Sequence, residues 1–204
     1  MSANALYTDL SGYYDLMCAG IDYQAQSHAV HRLQQIFGNA GTTHLDLACG
    51  TGPHVRYFID LGYQSSGLDI NQPMLDIAAA RCPEAQFSLQ DMSAFSIAEP
   101  VDLITCFLYS IHYNADLAKL KACIASVHRG LKADGVFCFN VVDKNKSITL
   151  YLPNTLWIMP ANVSLLIRAG ITLARVKSNH SKSALKKPTP QARRFGMTST
   201  PWLL

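Results

Sequence analysis

The chain has 204 residues, of which 49% are hydrophobic and 15% are charged; this excludes a disordered chain and is enough for one well-packed domain. Its net charge of +3 is unevenly distributed, because residues 1–143 carry 7 Lys and Arg against 14 Asp and Glu, and residues 144–204 carry 10 Lys and Arg and no acid. No leader peptide is evident and the six cysteines form no CxxC pair, so we expect a cytoplasmic protein with buried reduced thiols and no metal site.

The predicted elements begin with a helical segment. Short polar and aromatic residues occupy positions 1–20, and an apolar stripe with helical spacing follows over 29–37 and ends at Gly38. Beyond it, short apolar runs alternate with helical patterns. Strands are predicted at 44–48, 66–70, 86–90, 101–107 and 136–142.

Helical patterns separate most of these strands. One follows Gly52 through Ile59, one is capped by Asn71 and reaches about Arg81, and one is capped by Asn114. The last helix ends in a turn over 132–135. Alternating strands and helices, with strands that are apolar on both faces, predict a Rossmann-like, doubly wound and mostly parallel α/β sheet with helices on both faces.

Polar and glycine residues lie where the strands end, at the edge where such sheets bind ligands. The first strand contains Asp46 and runs into the glycine-rich turn Cys49-Gly50-Thr51-Gly52, and Asp69 ends the second strand, 19 residues after Gly50. An acid at that distance is suited to the hydroxyls of a ribose. Asp91 follows the third strand. We therefore predict a nucleoside site.

Two cofactor classes compete for this site. A dinucleotide requires GxGxxG, but Val55 occupies the third glycine position, and Asp46 would repel a pyrophosphate. An acid is suited to the sulfonium and ammonium of S-adenosylmethionine. Asp46 could contact that cofactor or bond the backbone of the turn, and both roles stay open.

Five segments in order, LDLACGTGPH, GLDINQPMLDIAAAR, LQDMSAF, DLITCFLYSIHY and LKADGVFCFNVV, cover about residues 45–143. Together they resemble the class I S-adenosylmethionine-dependent methyltransferases, in particular those acting on small molecules. The resemblance implies that the turn contacts the methionine part, that an acid holds the ribose, that three residues recognise adenine, and that two lie under the sulfonium. The implied cofactor residues are Asp46, Ala48, Cys49, Gly50, Thr51, Gly52, Asp69, Ile70, Asp91, Met92, Phe107 and Leu108, with Tyr14 from an N-terminal segment that covers the cofactor in some members.

Methyl transfer is a displacement that depends chiefly on alignment, with a base needed mainly for hydroxyl or carbon acceptors. His112 is the preferred candidate base because it follows the fourth strand, and Tyr109 and His54 are weaker candidates. We predict three segments: a helical cap over 1–40, a cofactor-binding core over 41–143, and an atypical basic segment over 144–204 in which the usual antiparallel strands are missing or aberrant.

The resulting function hypothesis is a methyltransferase acting on a small molecule. The alternatives are a catalytically impaired S-adenosylmethionine-binding protein with an aberrant C-terminus, and a nucleotide-dependent oxidoreductase. The basic segment also leaves open a contact with nucleic acid or an anionic surface. No stretch is predicted to span a membrane, because prolines and asparagines interrupt the uncharged run over 148–167.

Overall fold

The computed structural model describes Tyr7, residues 10–141, and the backbone of residues 163–168 and 173–177. The described strands form one seven-stranded sheet, in the order β3-β2-β1-β4-β5-β6-β7. Their bounds are β1 Thr43–Leu47, β2 Gln64–Asp69, β3 Gln86–Leu89, β4 Val101–Cys106, β5 Leu131–Val141, β6 Val163–Arg168 and β7 Leu173–Lys177. Strands β1 to β5 pair in parallel, and the order of the strands reverses between β1 and β4.

The described helices pack around this sheet. They are α1 Tyr14–Met17, α2 Tyr23–Phe37, α3 Pro53–Asp60, α4 Gln72–Arg81 and α5 Leu117–Gly130, with short 3-10 helices at Ser11–Tyr13 and Ser110–Tyr113. Prolines lie in the first turn of α3 and of α4, where the missing N–H costs no intrahelical hydrogen bond. Apolar side chains fill both faces of the sheet, and Leu47, Phe58, Leu103 and Phe137 are fully buried. The predicted Rossmann-like α/β fold is therefore confirmed.

Two local predictions were wrong. The cap of α5 is Asp116, whose carboxylate accepts a hydrogen bond of 2.7 Å from Lys119 N, whereas the Asn114 amide donates to the Ile111 carbonyl and stabilises the preceding turn. Residues 132–135 belong to β5 instead of a separate turn. The pairing of β5 with β4 shifts register at this point, and Asp134 has a φ of 57°.

Beyond β5, strand β6 pairs antiparallel with β5, and β7 pairs antiparallel with β6. The backbone of an antiparallel pair is thus present in this part of the sheet, while most of 144–204 lies outside the described residues. The prediction that the usual pair is missing or aberrant in sequence stays a prediction. Among the described helices, none combines the length and the apolar character that crossing a membrane requires.

Candidate functional site

A cavity of about 390 Å³ opens at the carboxyl ends of β1 to β4, beside the point where strand order reverses. This is where open α/β sheets bind ligands, and the volume is within the usual range for small-molecule sites. Its lining comes from the turn after β1, from the ends of β2 and β3, from the segment after β4, and from the N-terminal residues. The lining residues are Tyr7, Tyr14, Ala48, Gly50, Leu68, Asp69, Ile70, Asn71, Met74, Gln90, Asp91, Met92, Ser93, Leu108, Ser110, Tyr113, Asn114, Ala115 and Lys119.

The glycine-rich turn brings its backbone to the cavity. Ala48, Gly50 and Gly52 all have positive φ, at 51°, 55° and 78°, a conformation that favours glycine. A Cβ at Gly50 would meet only the Tyr14 ring, 4.0 Å away, so the space in front of this backbone is open toward a ligand. A Cβ at Gly52 would lie 3.1 Å from that of Ala78, so Gly52 allows α3 and α4 to pack closely.

Asp69 joins this turn to the start of α4. One of its carboxylate oxygens accepts the Gly50 N–H at 3.0 Å, and the other accepts the backbone and side-chain N–H groups of Asn71 at 2.9 and 3.1 Å. A carboxylate has about four acceptor sites, so one remains, and a second becomes free when the Asn71 amide turns away. Asp69 is therefore held in place and retains capacity for the hydroxyls of a ribose.

Asp91 and Met92 form another part of the wall. Asp91 Oδ1 accepts the Ser93 N–H at 2.7 Å, and Lys119 Nζ lies 3.5 Å from its other oxygen. Hydrogen bonds from Ser93 lower the pKa of Asp91; burial opposes this decrease, and the charge of Lys119 adds to it. This carboxylate is therefore charged at neutral pH and available to accept a hydrogen bond from the ligand.

Asp46 lies beneath the turn, at the end of a chain of buried hydrogen bonds across three strands. Thr105 Oγ1 donates to Asp46 Oδ1 at 2.6 Å, His44 Nε2 lies 2.8 Å from that hydroxyl, and His44 Nδ1 lies 2.6 Å from Ser65 Oγ. The register explains the alignment, because Ser65 is paired with His44 and Thr105 with Asp46. If Thr105 donates to Asp46, a neutral His44 donates from Nε2 and accepts at Nδ1.

Burial raises the pKa of Asp46 to about 7; the Thr105 hydrogen bond opposes this rise, and the negative charge of Asp69 adds to it. Burial also lowers the pKa of His44 well below its usual value, so this imidazole is neutral. A buried carboxyl whose pKa responds to the charge of the lining residue Asp69 therefore lies beneath the turn.

Two tyrosines close the N-terminal side of the cavity. Tyr7 and Tyr14 both line it, with ring centroids 5.7 Å apart, and the Tyr7 and Tyr113 hydroxyls are hydrogen-bonded at 2.9 Å. Burial raises the pKa of both Tyr7 and Tyr14 above the usual value for tyrosine. Both therefore remain neutral hydrogen-bonding groups at physiological pH.

The structure brings eight of the predicted cofactor residues to the cavity: Tyr14, Ala48, Gly50, Asp69, Ile70, Asp91, Met92 and Leu108. The other five are not among the lining residues, and these are Asp46, Cys49, Thr51, Gly52 and Phe107. The Cys49 side chain packs against the backbone of Gly67, and a Cβ added at Gly67 would lie only 2.7 Å from the Cys49 sulfur. Thr51 is fully buried and bonded to Asp15.

The candidate bases lie around the cavity, outside its lining. His112 is an exposed residue of the 3-10 helix Ser110–Tyr113, whose two end residues line the cavity. Tyr109 is half-buried, its backbone N–H donates to Asn140 Oδ1, and burial raises its pKa. His54 is buried against Phe107 and bonded to Gln26, and burial lowers its pKa to about 3, so it is a packing residue.

Sequence reasoning missed several lining residues. Asn71 and Ser93 follow the strand-end acids by two residues, a position from which a short polar side chain commonly turns back toward the strand end. Ser110, Asn114 and Lys119 come from the segment between β4 and α5. The many polar and aromatic residues of this segment indicated that it lies at the site, but they did not identify which of its residues line the cavity.

The cavity fits the cofactor that the motifs suggest. Two acids, Asp69 and Asp91, line the cavity, and a third, Asp46, is buried beneath the turn. Lys119 is the one cation among the described lining residues, so the charge around the cavity favours a positively charged ligand. The open backbone at Gly50 gives close approach, and Asp69 is suited to a ribose. Among the residues that the structure describes, no cluster of three or more His, Cys, Asp or Glu side chains could hold a metal ion.

Comparisons with known proteins support this assignment. Residues 45–135 match the family model described as a methyltransferase domain. The chain is 30% identical over 130 residues to dTDP-4-amino-2,3,4,6-tetradeoxy-D-glucose N,N-dimethyltransferase of Saccharopolyspora spinosa, covering 63% of this chain and 52% of that protein. It is 32% identical over 130 residues to dTDP-3-amino-3,6-dideoxy-alpha-D-glucopyranose N,N-dimethyltransferase of Streptomyces fradiae, covering 63% and 51%. The chain thus spans about half the length of these relatives.

A solved structure shows the same fold. It is an S-adenosylmethionine-bound amino pentose methyltransferase from Micromonospora echinaspora, with a TM-score of 0.63 and 22% identity, covering 74% of this chain and 64% of that one. The parallel sheet, the turn after β1 and the matched domain lead to one conclusion. Residues 45–135 carry a methyltransferase domain, and this match supports a class I S-adenosylmethionine-dependent methyltransferase.

Proposed function

We propose that this protein transfers the methyl group of S-adenosylmethionine to the amine of a small, sugar-like acceptor. The observation that carries the proposal is the acidic cavity at the ends of β1 to β4, where a ribose-binding acid and an open glycine backbone face the same space. Two relatives whose names describe N,N-dimethyltransferases of amino sugars support the choice of acceptor.

Each wall of the cavity has a role in this proposal. Ala48 and Gly50 contact the methionine part through backbone groups, and Asp69 accepts the ribose hydroxyls. Ile70 is 66% exposed at the cavity edge, so an adenine stacked on it would cover an otherwise exposed apolar side chain. Asp91 and Met92 face the adenine edge.

When bound, the cofactor supplies an activated methyl group whose sulfur leaves as a neutral thioether. A neutral amine needs no protein base to attack the methyl carbon, and the resulting ammonium then loses a proton to water or to a nearby side chain. Tyr7, Tyr14 and Tyr113 can orient the amine through their hydroxyls, and His112 can receive the proton. Tyr109 keeps its own proton, because burial raises its pKa, so its role in this proposal is limited to hydrogen bonding. The protein therefore works chiefly by alignment.

Turnover and binding test the proposal. We expect calorimetry to detect S-adenosylmethionine but not NAD, and S-adenosylhomocysteine to form with nucleotide-linked amino sugars but not with the same sugars bearing a hydroxyl. Asp69→Asn should weaken cofactor binding, whereas Asp76→Asn, the same change on an exposed acid of α4, should not. Binding without turnover on any amine would support the catalytically impaired alternative, and binding of NAD would support an oxidoreductase.

The remaining parts of the proposal concern organisation. We keep the boundaries 1–40, 41–143 and 144–204 and a cytoplasmic location as predictions. Contact of the basic segment with nucleic acid or an anionic surface stays a weaker hypothesis, because it rests on ten Lys and Arg within residues 144–204.

A further inference from the structure

The N-terminal segment forms one wall of the cofactor cavity. Tyr14, the first residue of α1, lies opposite the glycine-rich turn, with its ring 4.0 Å from where a Cβ of Gly50 would lie. Tyr7 reaches the far side, where its hydroxyl is bonded to that of Tyr113. A ligand in the cavity therefore lies between this segment and the turn, in contact with both.

One acid joins the segment to the turn. Asp15 follows Tyr14, and its Oδ1 accepts a hydrogen bond of 2.6 Å from the Thr51 hydroxyl within the turn. Its Oδ2 forms an ion pair with Arg81, the last residue of α4. Arg81 also donates to Thr51 Oγ1 at 3.3 Å, so the three side chains form a closed cluster. Asp15 thus connects α1, the turn and the end of α4.

We propose that Asp15 is a positioning residue that holds the N-terminal wall against the glycine-rich turn and thereby slows release of S-adenosylmethionine. The proposal rests on the proposed function, because it takes this cavity as the cofactor site. Thr51 is fully buried and supplies the fixed end, while Asp15 and Arg81 have side chains 41% and 28% exposed. An ion pair that is partly solvated is weak enough to open in each catalytic cycle.

The chain offers a matched control for this ion pair. Arg56 and Glu84 pair at 2.6 Å with side-chain exposures of 29% and 47%, close to those of Arg81 and Asp15, and neither lines the cavity. Asp15→Asn removes the charge but keeps an oxygen that can accept from Thr51. Glu84→Gln makes the corresponding change away from the cofactor.

The experiment compares the dissociation rate of S-adenosylmethionine, measured by stopped-flow displacement, with the thermal midpoint of the ligand-free protein. We expect Asp15→Asn to raise the dissociation rate about fivefold, the effect of losing one partly buried charge-assisted contact, while Glu84→Gln changes it less than twofold. We expect the thermal midpoints of the two variants to agree within about 2 °C. An unchanged dissociation rate in Asp15→Asn would overturn the proposal.

A second variant tests whether Asp15 acts through Arg81 and serves if the first does not fold. We expect Arg81→Met to raise the dissociation rate by a similar factor, and the double variant to exceed either single variant by less than twofold. Fully multiplicative effects, or no effect of Arg81→Met, would overturn the proposal. If the unmodified protein does not bind S-adenosylmethionine, the proposed function fails instead, so the two failures are distinguishable.

Discussion

Replacement of Asp46 by Asn should remove a pH dependence of cofactor binding that this buried carboxyl causes from beneath the glycine-rich turn. The carboxyl is 2% exposed, burial raises its pKa to about 7, and the nearby charge of Asp69, which lines the cavity, adds to the rise. Since a negative charge at Asp69 raises this pKa, a cation bound in the same cavity lowers it. S-adenosylmethionine should therefore bind the ionised form of Asp46 more tightly and release a proton.

The magnitude follows from the pKa of about 7. If the ionised form binds much more tightly, the apparent affinity rises about 25-fold between about pH 5.5 and about pH 7.5, a range that lies below the titration of the cofactor's own α-amino group. In Asp46→Asn the affinity should change less than about threefold over this range. At the higher pH the variant should bind more weakly than the unmodified protein.

The stability of the ligand-free protein provides an independent check, because it should fall with rising pH while the cofactor affinity rises. The folded pKa of about 7 exceeds the usual value for an aspartate, so the stability associated with protonated Asp46 is fully present below about pH 4 and is lost as the pH rises through about 7. Three pH units correspond to a loss on the order of 4 kcal/mol. Urea unfolding should show Asp46→Asn gaining stability over the unmodified protein as the pH rises.

Calorimetry in two buffers with different ionisation enthalpies measures the proton release directly. We expect close to one proton released per cofactor bound at about pH 6, and none in Asp46→Asn. An affinity in the unmodified protein that is flat over the same pH range, with no proton released, would refute the electrostatic coupling between Asp46 and the cavity.

Three further changes test other parts of the structure. Thr105→Val should move the midpoint of the pH-dependent binding upward, because the Thr105 hydroxyl lowers the pKa of Asp46, and Thr105→Ser should restore it; an unchanged midpoint in the Val variant would contradict the assigned hydrogen bond. Gly52→Ala should lower the free energy of unfolding in urea by about 1–2 kcal/mol, because φ is 78° and the new Cβ would crowd Ala78; equal stability would show that the turn adapts. Asp102→Asn should reduce the loss of stability in acid. Burial alone would raise the pKa of Asp102, but hydrogen bonds from Thr43 and other side chains outweigh burial and lower it. The stability that ionised Asp102 contributes is therefore present above about pH 4 and is lost as the pH falls further.

Local pattern was sufficient for the fold. Strands β1 to β5 and helices α2 to α5 were predicted from short apolar runs and from apolar residues at helical spacing. Asp69 and Asp91 were predicted as site residues because they lie at the ends of parallel strands. The error at the cap of α5 had a local cause. Asn114 and Asp116 are both good caps in isolation, and only the bond from Asn114 to the preceding turn decides between them.

The interactions beneath the cavity could not be predicted, because each depends on residues far apart in sequence. Thr105 meets Asp46 across 59 positions, and Arg81 meets Asp15 across 66. Strand order and helix packing bring these pairs together, and the hydrophobic periodicity of one segment does not identify which distant segment will lie beside it. Sequence could name Asp46 as an acid near the site while leaving open whether it contacts the ligand or the protein.

The position of Asp46 near Asp69 also favours one of the two cofactor classes. Burial is the main cause of the raised pKa of Asp46 and the charge of Asp69 adds to it, so a cation in the cavity favours the ionised form of Asp46 and an anion opposes it. A pyrophosphate at the same backbone would force Asp46 to remain protonated and would gain nothing from Asp69. A sulfonium and an ammonium instead reduce the repulsion between the two acids, and this favours binding of the cationic ligand. In the proposed reaction the product is a neutral thioether that has lost one of these charges, so the same two acids bind the product less tightly than the cofactor.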